Sequence, residues 1–500
     1  MKWPLLLSLC AIQLASAQHH AMEEMPAFNA TGDEPMSYAL LPADKSYFYI
    51  HVTMMVLAFW VLMPIGIMLG IAKSSLHVPV QLGAFVFAMV GFFFAKLYGH
   101  STPHLYAGNS HHTLGWILFL FLCVQMLVGV IRKISNAIAR NTSYQILDPE
   151  TEERRQSESS GETLQNGEFD FDKEDYLPQS RLYTFVSTYT PTLVKNAFVA
   201  VAYNSFTKVV CKYYHMVMGR TFIVLAFVQT LSGLVVYHGV CRSWEVLGCI
   251  AHLIKGGIFF FYGIITFGRY LGAFANRGWA WNEGSSSYSF EMIESCLIFV
   301  YGITNTWMEH FGQDSAWTHK DLEHASLAFM WWWCGLVGIL VESRAIRRLL
   351  ERSTTSTLSL NPFPALTVLM TGISMGNHHQ DTAYSTNIHF MWGLLLSCAA
   401  ICRFITYISL YRNTPNDTLP TRPPSELLGA FLLICGSILF MASNSGTMTW
   451  LRRNQVDSMF LMNACVALTA MTLTYVAFLQ IIKAWAVRRE VRKMTNITQF

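Results

Sequence analysis

The sequence predicts an all-α polytopic protein that crosses a membrane about eleven times. Of its 500 residues, 53% are hydrophobic and only 13% are charged, whereas charged residues make up about 25% of ordinary soluble domains. The mean hydropathy is +0.34, and the apolar residues lie in runs long enough to span a bilayer as helices. The net charge of +3 is too small to indicate nucleic-acid binding, so composition predicts the lipid bilayer as the main partner.

The N-terminus has the pattern of a secretory signal peptide, residues 1–17. Lys2 precedes an apolar core, and Ala15-Ser16-Ala17 provides a small-residue cleavage site. A short extracytoplasmic segment, residues 18–46, then precedes the first helix. We therefore expect an integral protein of the secretory or endomembrane pathway or the plasma membrane, with its N-terminus outside the cytoplasm.

Eleven apolar segments follow, and their flanking charges predict their orientation. The predicted spans are 48–72, 78–99, 112–131, 215–237, 244–267, 290–308, 322–341, 362–376, 389–411, 426–443 and 459–482. With the N-terminus outside, short basic loops such as the one with Arg344, Arg347 and Arg348 fall on the cytoplasmic side, as the positive-inside rule requires. The C-terminus is therefore expected in the cytoplasm.

The spans divide into two predicted domains. Residues 47–240 hold four helices and a polar insert at about 134–205, whose acidic part is predicted to be disordered. Residues 241–500 hold seven helices. Between the domains, Cys241 and Cys249 can pair as a disulfide on the outer side. Glu291 and Glu294 begin the sixth helix, where we interpret them as partners of the helix dipole.

One motif occurs twice in the N-terminal half. The pattern H-x3-G-x9-Q-x3-G runs from His111 to Gly129 and again from His215 to Gly233. At about 100° per residue, the glycines and the glutamine fall within about 40° of the histidine, so each copy forms a stripe on one helix face. Of the adjacent histidines, only His111 and not His112 lies four residues before a glycine, as His215 does. The repetition indicates a shared role for the two helices.

A histidine opens each of the first four helices. His51 and His111 fall at the outer ends of helices 1 and 3, whereas His77 and His215 fall at the inner ends of helices 2 and 4. Antiparallel packing then predicts one pair near each membrane face. Two opposed imidazoles are what a six-coordinate b-type haem needs, and the motif glycines would let a macrocycle lie against the helices. The alternative is that these histidines are ordinary polar residues at helix ends.

These residues carry a resemblance to the cytochrome b561 family over the first 240 positions. The matching positions are His51, Met54, Trp60, Pro64 and Gly66 in helix 1, His77 and Gln81 in helix 2, His111, Gly115 and Gln125 in helix 3, and His215 and Gly219 in helix 4. The resemblance implies that the four histidines ligate two b haems. It also implies electron transfer from a cytoplasmic small-molecule donor, such as ascorbate, to an outer acceptor such as ferric iron.

The sequence departs from that family at several points and resembles a second family over its whole length. Lys73 stands where the b561 family often has arginine, and the insert between helices 3 and 4 is longer than usual. The complete chain, including the stretch from His252 to Gly263, resembles the fungal Ytp-type multispanning proteins. This second resemblance implies membership of a membrane-protein family and leaves its reaction open.

A second group of histidines lies on the predicted outer side of the C-terminal half. It comprises His252, His310, His324, His378, His379 and His389, with Glu309, Glu323 and Asp381 nearby. Histidine mixed with carboxylate suits iron, copper or zinc, and ionisable groups in membrane segments are candidates for function. The alternative is an outer polar rim of hydrogen-bonded histidines.

Two functional hypotheses follow. The first is a transmembrane oxidoreductase with two b haems that passes electrons outward, for example in the reduction of ferric or cupric ions. The second is a haem-free transporter or metal-handling protein on a b561-like core. Nucleotide, dinucleotide and metalloprotease fingerprints do not occur in the sequence. The sequence leaves the catalytic residues, the donor and the oligomeric state open.

Overall fold

The structure is a computed structural model. It describes residues 37–41, 44–102, 105, 110–146, 191, 196, 204–242, 245–284, 286, 288–308, 316–350, 360–378, 380–415 and 417–497. The predicted signal peptide and most of the predicted insert lie outside these residues, as do His310 and His379. In the described part of the chain the regular structure is helical, without strands, so the predicted all-α class is confirmed.

Four long helices form the N-terminal half. They are α1 (Ser46–Ile71), α2 (His77–Ser101), α3 (Ser110–Ile146) and α4 (Ser205–His238). Within α1, residues Val56–Leu62 form a π-helical segment. At α1's start, Asp44 accepts hydrogen bonds from the amide and hydroxyl of Ser46, which lower the pKa of this carboxyl.

Two helices in this half extend beyond the predicted spans. α3 continues to Ile146 rather than ending near residue 131, and α4 begins at Ser205 rather than near residue 215. Both helices therefore extend into what the sequence assigned to the insert. With 37 and 34 residues, they are about 50–55 Å long, against a hydrocarbon core of about 30 Å. The hydropathy pattern therefore identified only the most apolar part of each helix.

Nine further helices follow in the part of the chain that the structure describes. They are α5 (Val246–Tyr270), α6 (Phe290–Met308), α7 (His319–Glu342), α8 (Arg344–Leu350), α9 (Phe363–Gly376), α10 (Ala383–Arg412), α11 (Pro424–Ala442), α12 (Ser445–Arg453) and α13 (Ser458–Ile497). Seven of them coincide with the seven predicted spans of this half, while α8 and α12 are short additions.

The helices define a polytopic membrane protein. Among the described residues, nine helices are long and apolar enough to cross a bilayer, namely α1–α5, α7, α10, α11 and α13. This is two fewer than predicted, because α6 is not among the nine and α9 has only 14 residues. Large apolar side chains such as Leu120, Leu127 and Phe93 are more than half exposed and provide the surface for lipid.

The packing divides the N-terminal half into two helix pairs. α1 packs along α2 and α3 packs along α4, with much sparser backbone contact between the two pairs. In the C-terminal half, α11 packs against both α5 and α10, α9 packs against α10, and α6 packs against α7. The last helix connects the halves, since the Tyr475 hydroxyl donates to the Trp60 carbonyl at 2.5 Å and the Ser74 hydroxyl donates to Glu490 at 2.9 Å.

Cys241 and Cys249 form a disulfide between α4 and α5, the pairing that the sequence left open. The two residues are eight positions apart, with 5.7 Å between their Cα atoms. Close to this end of α4, the ring of Tyr237 stacks on Phe48 near the start of α1. The start of α1 and the start of α5 therefore lie at the same face of the molecule.

Candidate functional site

Two histidine pairs lie between the helix pairs of the N-terminal half. The ring centres of His51 on α1 and His111 on α3 are 6.4 Å apart. Those of His77 on α2 and His215 on α4 are 6.2 Å apart. Each pair takes one histidine from the α1–α2 pair and one from the α3–α4 pair. The structure thus brings together the same partners that antiparallel packing predicted.

The separation of the rings fits a metal ion held between them. Two metal–nitrogen bonds of about 2 Å each, plus about 1.1 Å from each nitrogen to its ring centre, give about 6.2 Å between ring centres when the bonds are in line. The interplanar angles of 75° and 86° make each pair an edge-to-face arrangement rather than a stack.

Three of the four imidazoles are oriented by the backbone of a neighbouring segment. The Nδ1 atoms of His51, His77 and His111 lie 2.9, 2.7 and 3.1 Å from the carbonyl oxygens of Gly91, Gly66 and Gln229. A ring nitrogen that donates to a carbonyl carries the proton, so Nε2 keeps the lone pair. This is the arrangement in which proteins present histidine to a metal.

His215 differs from the other three. Its Nδ1 atom is buried and has no hydrogen-bond partner among the described residues. Buried imidazole nitrogens are normally satisfied, and an unsatisfied one is destabilising. This orphaned atom distinguishes His215 from the other three histidines.

The two copies of the motif contact one another reciprocally. Gln125 donates to the carbonyl of His215 at 2.9 Å, and Gln229 donates to the carbonyl of His111 at 3.0 Å. A Cβ added at Gly129 would come within 3.2 Å of the His215 ring. The repeat is therefore one symmetric contact between two antiparallel helices.

The glycines of the motif lie against side chains of the other copy. A Cβ at Gly233 would meet the His111 ring at 3.0 Å, and Cβ atoms at Gly115 and Gly219 would each lie 3.2 Å from the glutamine of the other copy. These glycines leave room for the histidine and glutamine of the other copy, and their contact with a macrocycle stays a prediction. His112 points elsewhere, with its Nε2 atom 3.2 Å from Lys96.

The described outer histidines of the C-terminal half form two pairs. The ring centres of His252 and His389 are 6.2 Å apart, and those of His324 and His378 are 5.1 Å apart. Glu323 lies 2.5 Å from His378 Nδ1. Within the described residues, no three His, Cys, Asp or Glu side chains form a group that could hold a metal. His310 and His379 lie outside the described residues, so their predicted role stays a prediction.

A buried network of charges, which the sequence patterns did not predict, lies in the same half. Arg269 lies 3.6 Å from Glu291 and 3.9 Å from Glu294, while Arg403 lies 3.3 Å from Glu294 and 2.6 Å from Glu426. All five residues are at least 95% buried. The dipole interpretation of Glu291 and Glu294 omitted these ion pairs. Arg403, a charge in the middle of a predicted span, was the signal that could have revealed the network.

Taken together, the fold and the histidine pairs define a polytopic all-α membrane protein with two opposed imidazole sites in its first four helices. The chain belongs to the YTP1-like family of membrane proteins: the family model "Protein YTP1-like, C-terminal" matches residues 225–484. A second model, a domain of unknown function (DUF2427), matches residues 33–135.

Relatives occur in two yeasts. A membrane protein of Schizosaccharomyces pombe, named as uncharacterized, is 36% identical over 508 residues, which cover 92% of this chain and 99% of the relative. A membrane protein of Saccharomyces cerevisiae, also named as uncharacterized, is 26% identical over 89% of this chain and 84% of its own length. Protein YTP1 of Saccharomyces cerevisiae is 28% identical over 46% of each chain. No solved structure matches.

Proposed function

We propose that the protein transfers single electrons across a membrane through two b-type haems. His51 and His111 would hold one haem, and His77 and His215 the other. The observation that carries this proposal is the pair of imidazole sites, each with the ring separation of a two-nitrogen metal site. When bound, such a haem supplies a centre that gains and loses one electron without leaving its site.

The two sites lie at different depths along the same helices. His51 is near the start of α1, while His77 hydrogen-bonds to Gly66, 15 residues further along that helix. At about 1.5 Å per residue, this places the sites about 22 Å apart along the axis. The separation of the two sites is therefore a large part of the thickness of a bilayer core, about 30 Å.

The chain itself orients the ligands, although the amide nitrogen of Gln229 also lies 3.5 Å from His111 Nε2. The carbonyls of Gly91, Gly66 and Gln229 hold the protons of three imidazoles on Nδ1, so Nε2 is available for coordination. The donor proposed is a cytoplasmic small molecule such as ascorbate, and the acceptor proposed is an extracytoplasmic metal ion.

Spectroscopy of the purified protein tests the proposal. The reduced-minus-oxidised visible spectrum is expected to show b-type haem at two per chain. His215→Ala is expected to lower this to one per chain, because only the pair with His77 loses a ligand. His112→Ala is the matched control and should retain two haems, since His112 faces Lys96. A folded wild-type protein purified without haem would overturn the proposal.

The second candidate is a haem-free transporter or metal-handling protein. The two outer histidine pairs and the carboxylate of Glu323 beside His378 favour it. It predicts metal binding in protein that carries no haem. Replacing His324, His378 and His389 together should then abolish metal binding, and unchanged affinity would count against this candidate.

A further inference from the structure

A third histidine pair repeats the geometry of the first two. The ring centres of His252 on α5 and His389 on α10 are 6.2 Å apart, with 83° between the ring planes. The corresponding values are 6.2 Å and 86° for His77 and His215. The same in-line arrangement of two metal–nitrogen bonds therefore fits this pair.

Both imidazoles of this pair are oriented in the same way. The Nδ1 atom of His252 lies 2.7 Å from the carbonyl of Gly248, and that of His389 lies 2.9 Å from the carbonyl of Ser385. Each carbonyl is four residues earlier on the same helix. The proton of each ring is thus held against its own helix, and Nε2 carries the lone pair.

The surroundings of this pair leave no room for a macrocycle. The ring of Phe440 on α11 lies 5.5 Å from His252 and stacks on Trp392 at 4.2 Å. Trp392 in turn lies 5.8 Å from His389. One turn further along α5, a Cβ at Gly256 would come within 2.4 Å of Met441. A bare ion between the two rings needs no such space.

The absence of negative charge and the presence of only two nitrogen ligands determine which ion suits this pair. Two neutral imidazoles bring no negative charge, the flanks are aromatic, and Lys255 follows one turn after His252. The desolvation cost of an ion rises with the square of its charge, which favours a monovalent ion here. Zinc prefers four ligands and calcium and magnesium prefer oxygen, whereas copper accepts imidazole and its monovalent form is stable with two nitrogens in line.

We propose that His252 and His389 bind one Cu⁺ ion in the C-terminal half. The pair lies at the same face as His51 and His111, because the Tyr237–Phe48 stack and the Cys241–Cys249 disulfide join the start of α5 to the start of α1. Cu⁺ is the product of adding one electron to Cu²⁺. A role in receiving that product rests on the proposed function, whereas the binding itself does not.

Anaerobic titration of the purified full-length protein with Cu⁺, against a chromophoric Cu⁺ chelator, tests the site. One Cu⁺ per chain is expected, with an X-ray absorption spectrum of two nitrogen ligands. His252→Gln and His389→Gln should each weaken binding by at least about 100-fold, because changes that only disturb the orientation of a ligand already cost about 10–100-fold. His389→Cys keeps a soft ligand and should recover much of the affinity.

The control is His238→Gln, a histidine at the same face whose ring contacts Trp450; it should bind Cu⁺ like the wild type. Unchanged Cu⁺ affinity in both glutamine variants would overturn the site, as would tighter binding of Zn²⁺ than of Cu⁺ at this pair. The haem spectrum of the same samples separates the two proposals. Haem without Cu⁺ binding rejects this site alone, and Cu⁺ binding without haem rejects only the proposed electron transfer.

Discussion

The two halves of the molecule are packed in different ways. In α3 and α4, 17% and 11% of the span residues are buried, whereas the values for α10 and α11 are 50% and 61%. In the N-terminal half, the glycines of the repeated motif lie against the ends of histidine and glutamine side chains. In the C-terminal half, by contrast, a Cβ at Gly393 would lie 2.4 Å from the carbonyl oxygen of Gly372.

This difference separates a half in which the motif glycines meet side-chain ends from a half in which glycines meet backbone. A side-chain end can shift to admit an added methyl group, whereas backbone packed on backbone cannot. The polar groups follow the same division. Neutral histidine and glutamine bridge helices in the N-terminal half, while full charges are paired and buried in the C-terminal half.

The largest expected effect on stability is in the charge network. Arg403→Leu removes the partner of Glu426 and one partner of Glu294. An uncompensated buried charge should destabilise the protein by about 3–5 kcal/mol. Thermal unfolding of the detergent-purified protein measures the change. Arg412→Leu, at the exposed end of the same helix, is the control and should have little effect; equal effects of the two changes would contradict the network's role.

Adding one methyl group to a glycine in each half tests the contrast in packing. Gly393→Ala should destabilise by about 1–3 kcal/mol, because the new Cβ meets backbone that cannot move aside. Gly129→Ala should destabilise less, since the His215 ring at 3.2 Å can shift. Its main effect should be on the haem spectrum. Unfolding and visible spectra of both variants measure this, and a larger destabilisation by Gly129→Ala would contradict the comparison.

The smallest expected effect is on the reciprocal glutamine contacts. Gln229→Leu removes the hydrogen bond to the His111 carbonyl and should lower stability by about 0.5–1.5 kcal/mol. Gln125→Leu removes the equivalent bond to the His215 carbonyl and should have a similar effect. Denaturation of the two variants side by side is the measurement. Clearly unequal losses would show that the two copies of the motif are not equivalent.

Sequence patterns predicted the helices better than the contacts between them. Eleven predicted spans coincide with long helices or with α9, because hydropathy reports directly which residues lie in lipid. The helices α3 and α4 extend beyond the predicted spans because hydropathy identifies apolar residues and does not report where a helix ends. The two predicted histidine pairings in the N-terminal half follow from helix direction alone, and the structure brings the same partners together.

The C-terminal half shows why contacts were harder to predict. The sequence predicted one cluster of six histidines on one side of the membrane, whereas the described ones form two pairs. One pair arises because α5 and α10 both pack against α11, and the other because α7 packs against α9. The order in which helices pack around α11 depends on which glycines permit two helices to approach each other closely. The spacing of residues along the sequence does not report which helices become neighbours.

The sequence by itself determined the class of protein, the positions of its membrane helices and the alternation of histidines between the two faces. These properties depend on local hydropathy and on the direction of each helix. Only the tertiary structure decided that Arg269 and Arg403 share buried carboxylates and that His252 faces His389. The reason is physical: a buried charge or a bis-histidine site needs partners from distant helices, and packing of whole helices decides which partners meet.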